Sequence, residues 1–350
     1  MSSRTTNICI LVVILLAILS GVVSLLAGAP GGRWLFWLHR IAGLSLIVLA
    51  WWKWRIIARS YGKHGLTLST ALAALFTLLV VGSLGTGVLW ATTGFPGARV
   101  PLLGSLTGLG IHIAVSVALI PLLMLHVVQR WQRARRADFA GRRAAVRWAG
   151  LSAAGLALWG AGDAAAAIGE LSGKDRRFTG SRERGRLPGN TFPSTNWFTD
   201  PKPRIERDDW SIRISSRGGF NERLSFNDLV GLEQASIRET LDCTGGWYST
   251  QDWTGVPVGV MLAAAAGDSV ITARSIIVHS ATGYTRRFPI SESAKLLLAT
   301  HVGGEALTRG HGFPARLVAP GYRGFEWVKW VVEIELSNEP EWLQAPLPLQ

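Results

Sequence analysis

Long apolar stretches dominate the first half of the chain. Residues 7–27, 34–57, 69–92 and 106–128 each have the length an α-helix needs to cross about 30 Å of hydrocarbon. A fifth stretch, 148–168, follows a basic segment. The pattern predicts an all-α transmembrane bundle of four helices over 1–130, then a basic cytoplasmic loop and an anchoring fifth span over 131–172. The first stretch ends at Gly28-Ala29-Pro30-Gly31 and three more follow it, so it reads as a retained anchor rather than a signal peptide. From 173 to 350 charged residues are interleaved with short apolar runs. WSIRI alternates as a strand does, LSFNDLVGL reads as a capped helix, and SIRETLDC as a strand running into Cys243. VGVMLAAAAG predicts a helix, SIIVHSATGYTRRFPI two strands around a glycine turn, ISESAKLLLATHVGG another helix, and WVKWVVEIEL a closing strand. Residues 169–203, rich in Gly, Pro, Arg, Ser and Asn, read as a linker passing into an extended arm.

Composition supports this division. With 48% apolar residues and a mean hydropathy of +0.26, the 350 residues are too apolar for one ordinary soluble fold. The net charge of +13 is explained by where the basic residues fall rather than by nucleic acid. Lys53, Arg55, Arg59 and Lys63 follow the second span, and Arg130, Arg133, Arg135, Arg136, Arg142, Arg143 and Arg147 follow the fourth, whereas the other two loops carry Arg33 and Arg99. The basic loops belong in the cytoplasm, which places the multi-pass chain in a prokaryotic cytoplasmic membrane with its C-terminal domain outside. Arg142-Arg143 ahead of the fifth span looks like an internal twin-arginine export signal; ordinary positive-inside charge explains it equally. Residues 164–167 are small enough to permit cleavage, but retention of the span is expected because it tethers the two halves.

A histidine inside a membrane span is costly unless it has work to do. His39 and His112 lie at similar depths on spans running the same way, so their imidazoles are predicted to share one level as the axial ligands of a b-type haem, with Gly43, Gly82, Gly85, Gly87 and Gly108 leaving room. The four-helix layout resembles membrane b-type cytochromes that exchange electrons with quinones. His126 is a candidate for a second haem, but the matching position on the second span is Lys53, and His64 looks like a loop residue.

Cys243 is the one cysteine outside an apolar span; Cys9 lies within the first, so no disulfide framework is plausible. The choices are buried filler, nucleophile or metal ligand. Gly245 and Gly246 follow it, and Trp247, Trp253 and a turn at Gly255-Val256-Pro257 are expected to supply rigid walls. LDCTGGWYSTQDWTGVPVGVM, taken with HGFPARLVAPGYRGFEWVKW, resembles the molybdopterin-binding domain of the sulfite oxidase superfamily over 204–336. The resemblance implies an α+β domain in which Cys243 binds molybdenum. It also implies that His311 and Arg316 hold the pterin phosphate, with Arg323 and Lys329 completing the cradle. Asn190 and Asn196, in the arm GNTFPSTNWFTD, are further cofactor candidates, although the arm could equally pack Phe192 and Trp197 onto the domain as a surface loop.

The two resemblances together imply oxygen-atom transfer at a Cys-ligated molybdenum, with haem exchanging electrons with a quinone or quinol. The chain ends soon after the closing strand, without the dimerisation domain of classical sulfite oxidases. That favours reduction of a sulfoxide, free or as oxidised protein methionine, as in the periplasmic methionine sulfoxide reductases. Sulfite oxidation is the alternative, for which Arg238, Arg286 and Arg287 would face the substrate; Tyr248 and Tyr284 read as packing residues. A cofactor-free sensor or assembly module is the non-enzyme alternative. A transporter is disfavoured because the spans lack paired acidic residues.

Overall fold

The computed structural model describes residues 1–58, 68–95, 97–100, 104–130, 134–185, 188–196, 201–216, 219, 221–266 and 273–348. His64, Trp197, Arg59, Lys63 and Arg133 lie outside them. The chain divides into two compact units, Met1–Arg182 and Glu183–Gln350.

The first unit contains α1 (Ser3–Ser24), α2 (Arg33–Ala58), α3 (Leu68–Thr92), α4 (Gly108–Arg130) and α5 (Arg142–Ile168). All five are long and apolar enough to cross a membrane. Cys9, Val13 and Ile14 of α1 pack with Ala42, Leu46 and Leu49 of α2, Leu123 of α4 and Leu151 of α5. Leu78, Met124 and Val128 instead point outward. Small and hydroxyl side chains set the close approaches. A Cβ on Gly155 of α5 would lie 2.5 Å from the Ile41 carbonyl oxygen of α2, and beside it Ser45 Oγ donates to the Leu151 carbonyl at 2.9 Å. The first part of the expected linker is not free chain. Gly173 sits so near the Ala91 and Thr92 carbonyls that a Cβ would lie within 2.3 Å of either, Arg176 donates to Ala91 O at 2.8 Å, and the Arg182 guanidinium covers the Trp90 ring at 4.3 Å. Residues 172–182 thus close the end of α3, because the last carbonyls of a helix need donors and arginine supplies them.

The second unit is built from two sheets. In one, β1 (Ser211–Ser216) pairs antiparallel with β2 (Asn221–Ser225) and parallel with β10 (Val331–Ser337), which pairs with β5 (Ser275–Ser280), which pairs with β6 (Thr285–Pro289). In the other, β3 (Ala235–Cys243) pairs with β4 (Trp247–Pro257), β4 with β7 (Leu297–Val302), and β7 with both β8 (Glu305–Ala306) and β9 (Arg316–Val318). Helix α6 (Phe226–Gly231) starts at Ser225, whose Oγ accepts from Asp228 N while the Asp228 carboxylate accepts from Ser225 N, a capping box. Helix α7 is Val258–Ala266.

Two expected elements differ. Gly255-Val256-Pro257 is the end of β4 rather than a turn, and 290–304 holds a 3-10 turn at Ile290–Glu292 followed by β7 rather than a helix. The physical reason is the same for both. β7 lies between β4 and β9 and its Leu297, Leu298 and Ala299 are all buried, so it reads as a continuous apolar run with no alternation.

Candidate active site

Cys243 is the last residue of β3, and the β3–β4 pairing holds its register from Ala235↔Gly255 to Cys243↔Trp247. The reversal is possible because Gly246 adopts φ +89° and its N–H returns to the Cys243 carbonyl at 3.0 Å. Gly245 N–H points at the sulfur, 3.3 Å away. The thiol is buried. Burial pushes its pKa up, while the Gly245 N–H, the Arg323 guanidinium and the Thr195 hydroxyl pull it down.

Two buried arginines stand close to it. Arg323 pairs with Asp242, the residue before the cysteine, at 3.0 Å, and donates to the Cys243 carbonyl at 3.5 Å; both partners of the pair are 2% exposed. Arg316, 1% exposed, donates through Nη1 to His311 O at 3.2 Å, and its Nε has no hydrogen-bond partner among the described residues. Its guanidinium lies over the Trp253 and Trp327 rings, and burial lowers its pKa to about 9 while the thiol opposes that. Arg316 and Arg323, expected at the phosphate end, are therefore both within the electrostatic reach of the sulfur.

The arm 188–196 is tied to the second motif. Asn190 accepts from Thr308 N at 3.0 Å and donates to Ala306 O at 2.9 Å, so its amide is used in fastening the chain. Phe192 is buried against His311, Trp253 and Trp247, and Ser194 Oγ donates to Gly310 O at 2.6 Å. Lys329 Nζ donates to Thr195 O, Asn196 Oδ1 and Gly310 O at 3.0, 2.8 and 2.8 Å. His311 departs from its expected part as a phosphate donor. Its Nε2 meets Phe192 O at 2.9 Å, which only an N–H can satisfy, so Nδ1 accepts from the Thr308 hydroxyl at 2.7 Å. Burial holds this neutral imidazole's pKa at about 4.

The arginines expected at a sulfite site do not gather. Arg286 makes a buried two-point pair with Glu326, Arg287 pairs with Glu339, and Arg238 with Asp252 on the surface. Tyr284 donates to Phe325 O at 2.6 Å, a packing role. His279 pairs with Glu335 and His301 meets its neighbour Thr300. Sequence reasoning missed Asp242 and Thr195. An acid inside the apolar end of β3 was a usable signal for the first; nothing marked the second, whose position depends on the path of the arm.

In the helical unit the His39 and His112 rings lie together, with centroids 6.1 Å apart and planes at 77°. His39 Nδ1 meets Ala17 O at 2.8 Å and His112 Nδ1 meets Ser83 O at 3.0 Å. Each Nδ1 must therefore carry the proton, which leaves Nε2 as a lone pair; among the described residues neither Nε2 has a hydrogen-bond partner. Gly21 and Gly87 face these rings, each with space for a Cβ only 3.0 Å from an imidazole carbon. His126 is elsewhere, stacked on Phe76 at 5.1 Å, and Lys53 donates to Asn7.

Residues 199–344 match the family model described as the oxidoreductase molybdopterin binding domain. Mitochondrial sulfite oxidase from Homo sapiens is 27% identical over 180 residues, covering 42% of this chain and 33% of that protein. The uncharacterized oxidoreductase YuiH of Bacillus subtilis is 29% identical over 174 residues, 48% of this chain and 85% of that one. The protein-methionine-sulfoxide reductase catalytic subunit MsrP of Xanthomonas campestris is 30% identical over 164 residues, 40% of this chain and 50% of that one. The chain spans about a third of the length of the mitochondrial sulfite oxidases it matches. The second unit thus carries a molybdopterin-binding oxidoreductase domain of the sulfite oxidase and MsrP type.

Proposed function

We propose that this protein is a membrane-anchored molybdenum oxidoreductase that removes an oxygen atom from a sulfoxide-type substrate, including oxidised protein methionine, with electrons drawn from quinol through haem b. The observation that carries the reading is the Cys243 sulfur, buried at the end of β3 with the Gly245 N–H aimed at it. The residues present fit a molybdopterin. Arg316 is a buried cation whose Nε has no partner among the described residues, which suits an anionic group, and Cys243 is the one cysteine of the unit. Cys243 would hold the metal, Arg316 would face the anionic pterin, and Lys329, Asn196, Asn190 and His311 would keep the arm closed on it. Arg323 acts from behind the cysteine, offsetting the charge of Asp242 and of the thiolate. When bound, the molybdenum cofactor supplies two-electron oxygen-atom transfer, while haem passes electrons singly.

The helical unit also fits its part. His39 and His112, whose rings lie 6.1 Å apart and whose Nδ1 protons are taken by backbone carbonyls, would hold the haem iron through their Nε2 lone pairs. Five apolar helices supply the lipid-facing surface, with α1 starting on the cytoplasmic side and the second unit on the extracytoplasmic side of a prokaryotic membrane. Sulfite oxidation is the second reading, supported by the matched sulfite oxidases; the pairing of Arg238, Arg286 and Arg287 with carboxylates weighs against it.

The test uses the purified chain in mild detergent, reduced with dithionite and freed of excess reductant. Methionine sulfoxide should reoxidise the haem, and Cys243→Ser should abolish both the reoxidation and the molybdenum content. Haem reduction by sulfite in the oxidised protein would make the second reading correct, and spectra without haem would remove the role given to His39 and His112.

A further inference from the structure

We propose that Arg286 and Glu326 are positioning residues for Cys243, holding the loop 323–326 against the cysteine from the other sheet of the domain. Such a part presupposes that Cys243 is the metal ligand. The contacts run outward from the cysteine. Gly324 lies so close to β3 that a Cβ there would be 3.1 Å from Cys243 Cα and 3.2 Å from the Asp242 carbonyl oxygen. Arg323 beside it pairs with the Asp242 carboxylate at 3.0 Å. Residues 323–326 form one tight turn, since Glu326 N donates to Arg323 O at 2.8 Å and Trp327 N to Gly324 O at 3.2 Å. Whatever fixes Glu326 therefore fixes the residues that meet the cysteine.

Glu326 is fixed by the five-stranded sheet. Arg286, on β6, donates through Nε and Nη2 to Glu326 Oε2 and Oε1, both at 2.5 Å. Its guanidinium also lies over the Phe325 ring at 5.2 Å, and Tyr284, just before β6, donates to Phe325 O at 2.6 Å. The two side chains of the pair are 2% and 12% exposed. Replacing a buried ion pair by apolar side chains of the same volume often costs no stability, so stability alone does not call for these charges. What two parallel N–H···O bonds add is direction, because they fix the carboxylate along one line and in one plane. β6 belongs to one sheet and Cys243 to the other, so the pair sets where the loop stands against the cysteine from a separate layer of the domain.

The test separates position from stability. In the full chain made without molybdenum, modification of Cys243 by iodoacetamide, read by peptide mass spectrometry, reports how often the thiol is uncovered. Arg286→Met combined with Glu326→Leu should keep the wild-type denaturation midpoint yet raise the rate of Cys243 modification on the order of tenfold. In the molybdenum-loaded chain the same double variant should shift the electron paramagnetic resonance spectrum of the metal. Glu326→Gln, which keeps the volume and breaks the two-point pair, should do both in smaller measure, and it decides the matter if the double variant does not fold. Glu333→Gln, which breaks the Arg213 pair within the same sheet, should leave the modification rate and the spectrum as in wild type. A Cys243 modification rate no faster in Glu326→Gln than in Glu333→Gln would overturn the proposal. Wild-type protein that takes up no molybdenum would instead sink the proposed function, and the modification rates would then decide the part of the pair by themselves.

Discussion

In the helical unit two imidazoles have their N–H groups taken by backbone carbonyls, at Ala17 and Ser83; in the α/β unit one sulfur has an N–H directed at it, from Gly245, and the Arg323 guanidinium nearby. The polarity is reversed because the proposed ligands differ. A neutral imidazole binds a metal through a lone pair, so its other nitrogen must be the donor, and a helix carbonyl is the acceptor at hand. A thiolate brings negative charge into a buried place, so it needs donors and cations. Space is also made differently: glycines opposite the rings in the first unit, a hairpin turn and an arm around the sulfur in the second.

The sharpest way to break this contrast is at the Arg323–Asp242 pair. Removing either partner should leave a buried charge alone and cost about 3–5 kcal/mol, whereas Asp242→Leu with Arg323→Met should recover most of it. Chemical denaturation followed by tryptophan fluorescence reads both. If the single variants unfold like wild type, the cationic side of the comparison is wrong.

Next comes pH. His311 is held neutral with a pKa of about 4, below its ordinary 6.5, so between those values the unfolded chain binds the extra proton. Stability is fully present above pH 6.5 and is lost as pH falls toward 4, by about 2–3 kcal/mol for this group. His311→Gln should flatten that part of the stability profile of the second unit.

A smaller effect is expected at the helical site. Gly21→Ala and Gly87→Ala place a methyl 3.0 Å from an imidazole carbon and should cost about 1–3 kcal/mol through overpacking. Haem content and the shape of its absorption bands check this, and an unchanged spectrum would show that the rings have room to spare. The smallest effect belongs to the surface pair. Arg238→Gln should change stability by less than about 1 kcal/mol and leave any response to sulfite as it was.

The apolar helices were legible because each is a long unbroken apolar run that satisfies its own backbone; the five helices begin and end within six residues of the runs that predicted them. The strand–turn–strand around Cys243 was legible because paired glycines at the end of an apolar run mark a reversal of the chain. The helix expected at 290–304 was misread because a strand buried on both faces has lost the alternation that distinguishes it. The segment 172–182 was misread as linker because its arginines bond to carbonyls of α3, distant in the chain.

By itself, then, the order of residues determined that there are two units and where the apolar helices run, since local periodicity and residue type set these. Only the tertiary structure decided that Arg323 pairs with Asp242 and bonds to the Cys243 carbonyl, and that both nitrogens of His311 are spent on protein. Hydrogen-bond partners and buried charge pairs are made between segments far apart in sequence, and no local pattern records which of them meet.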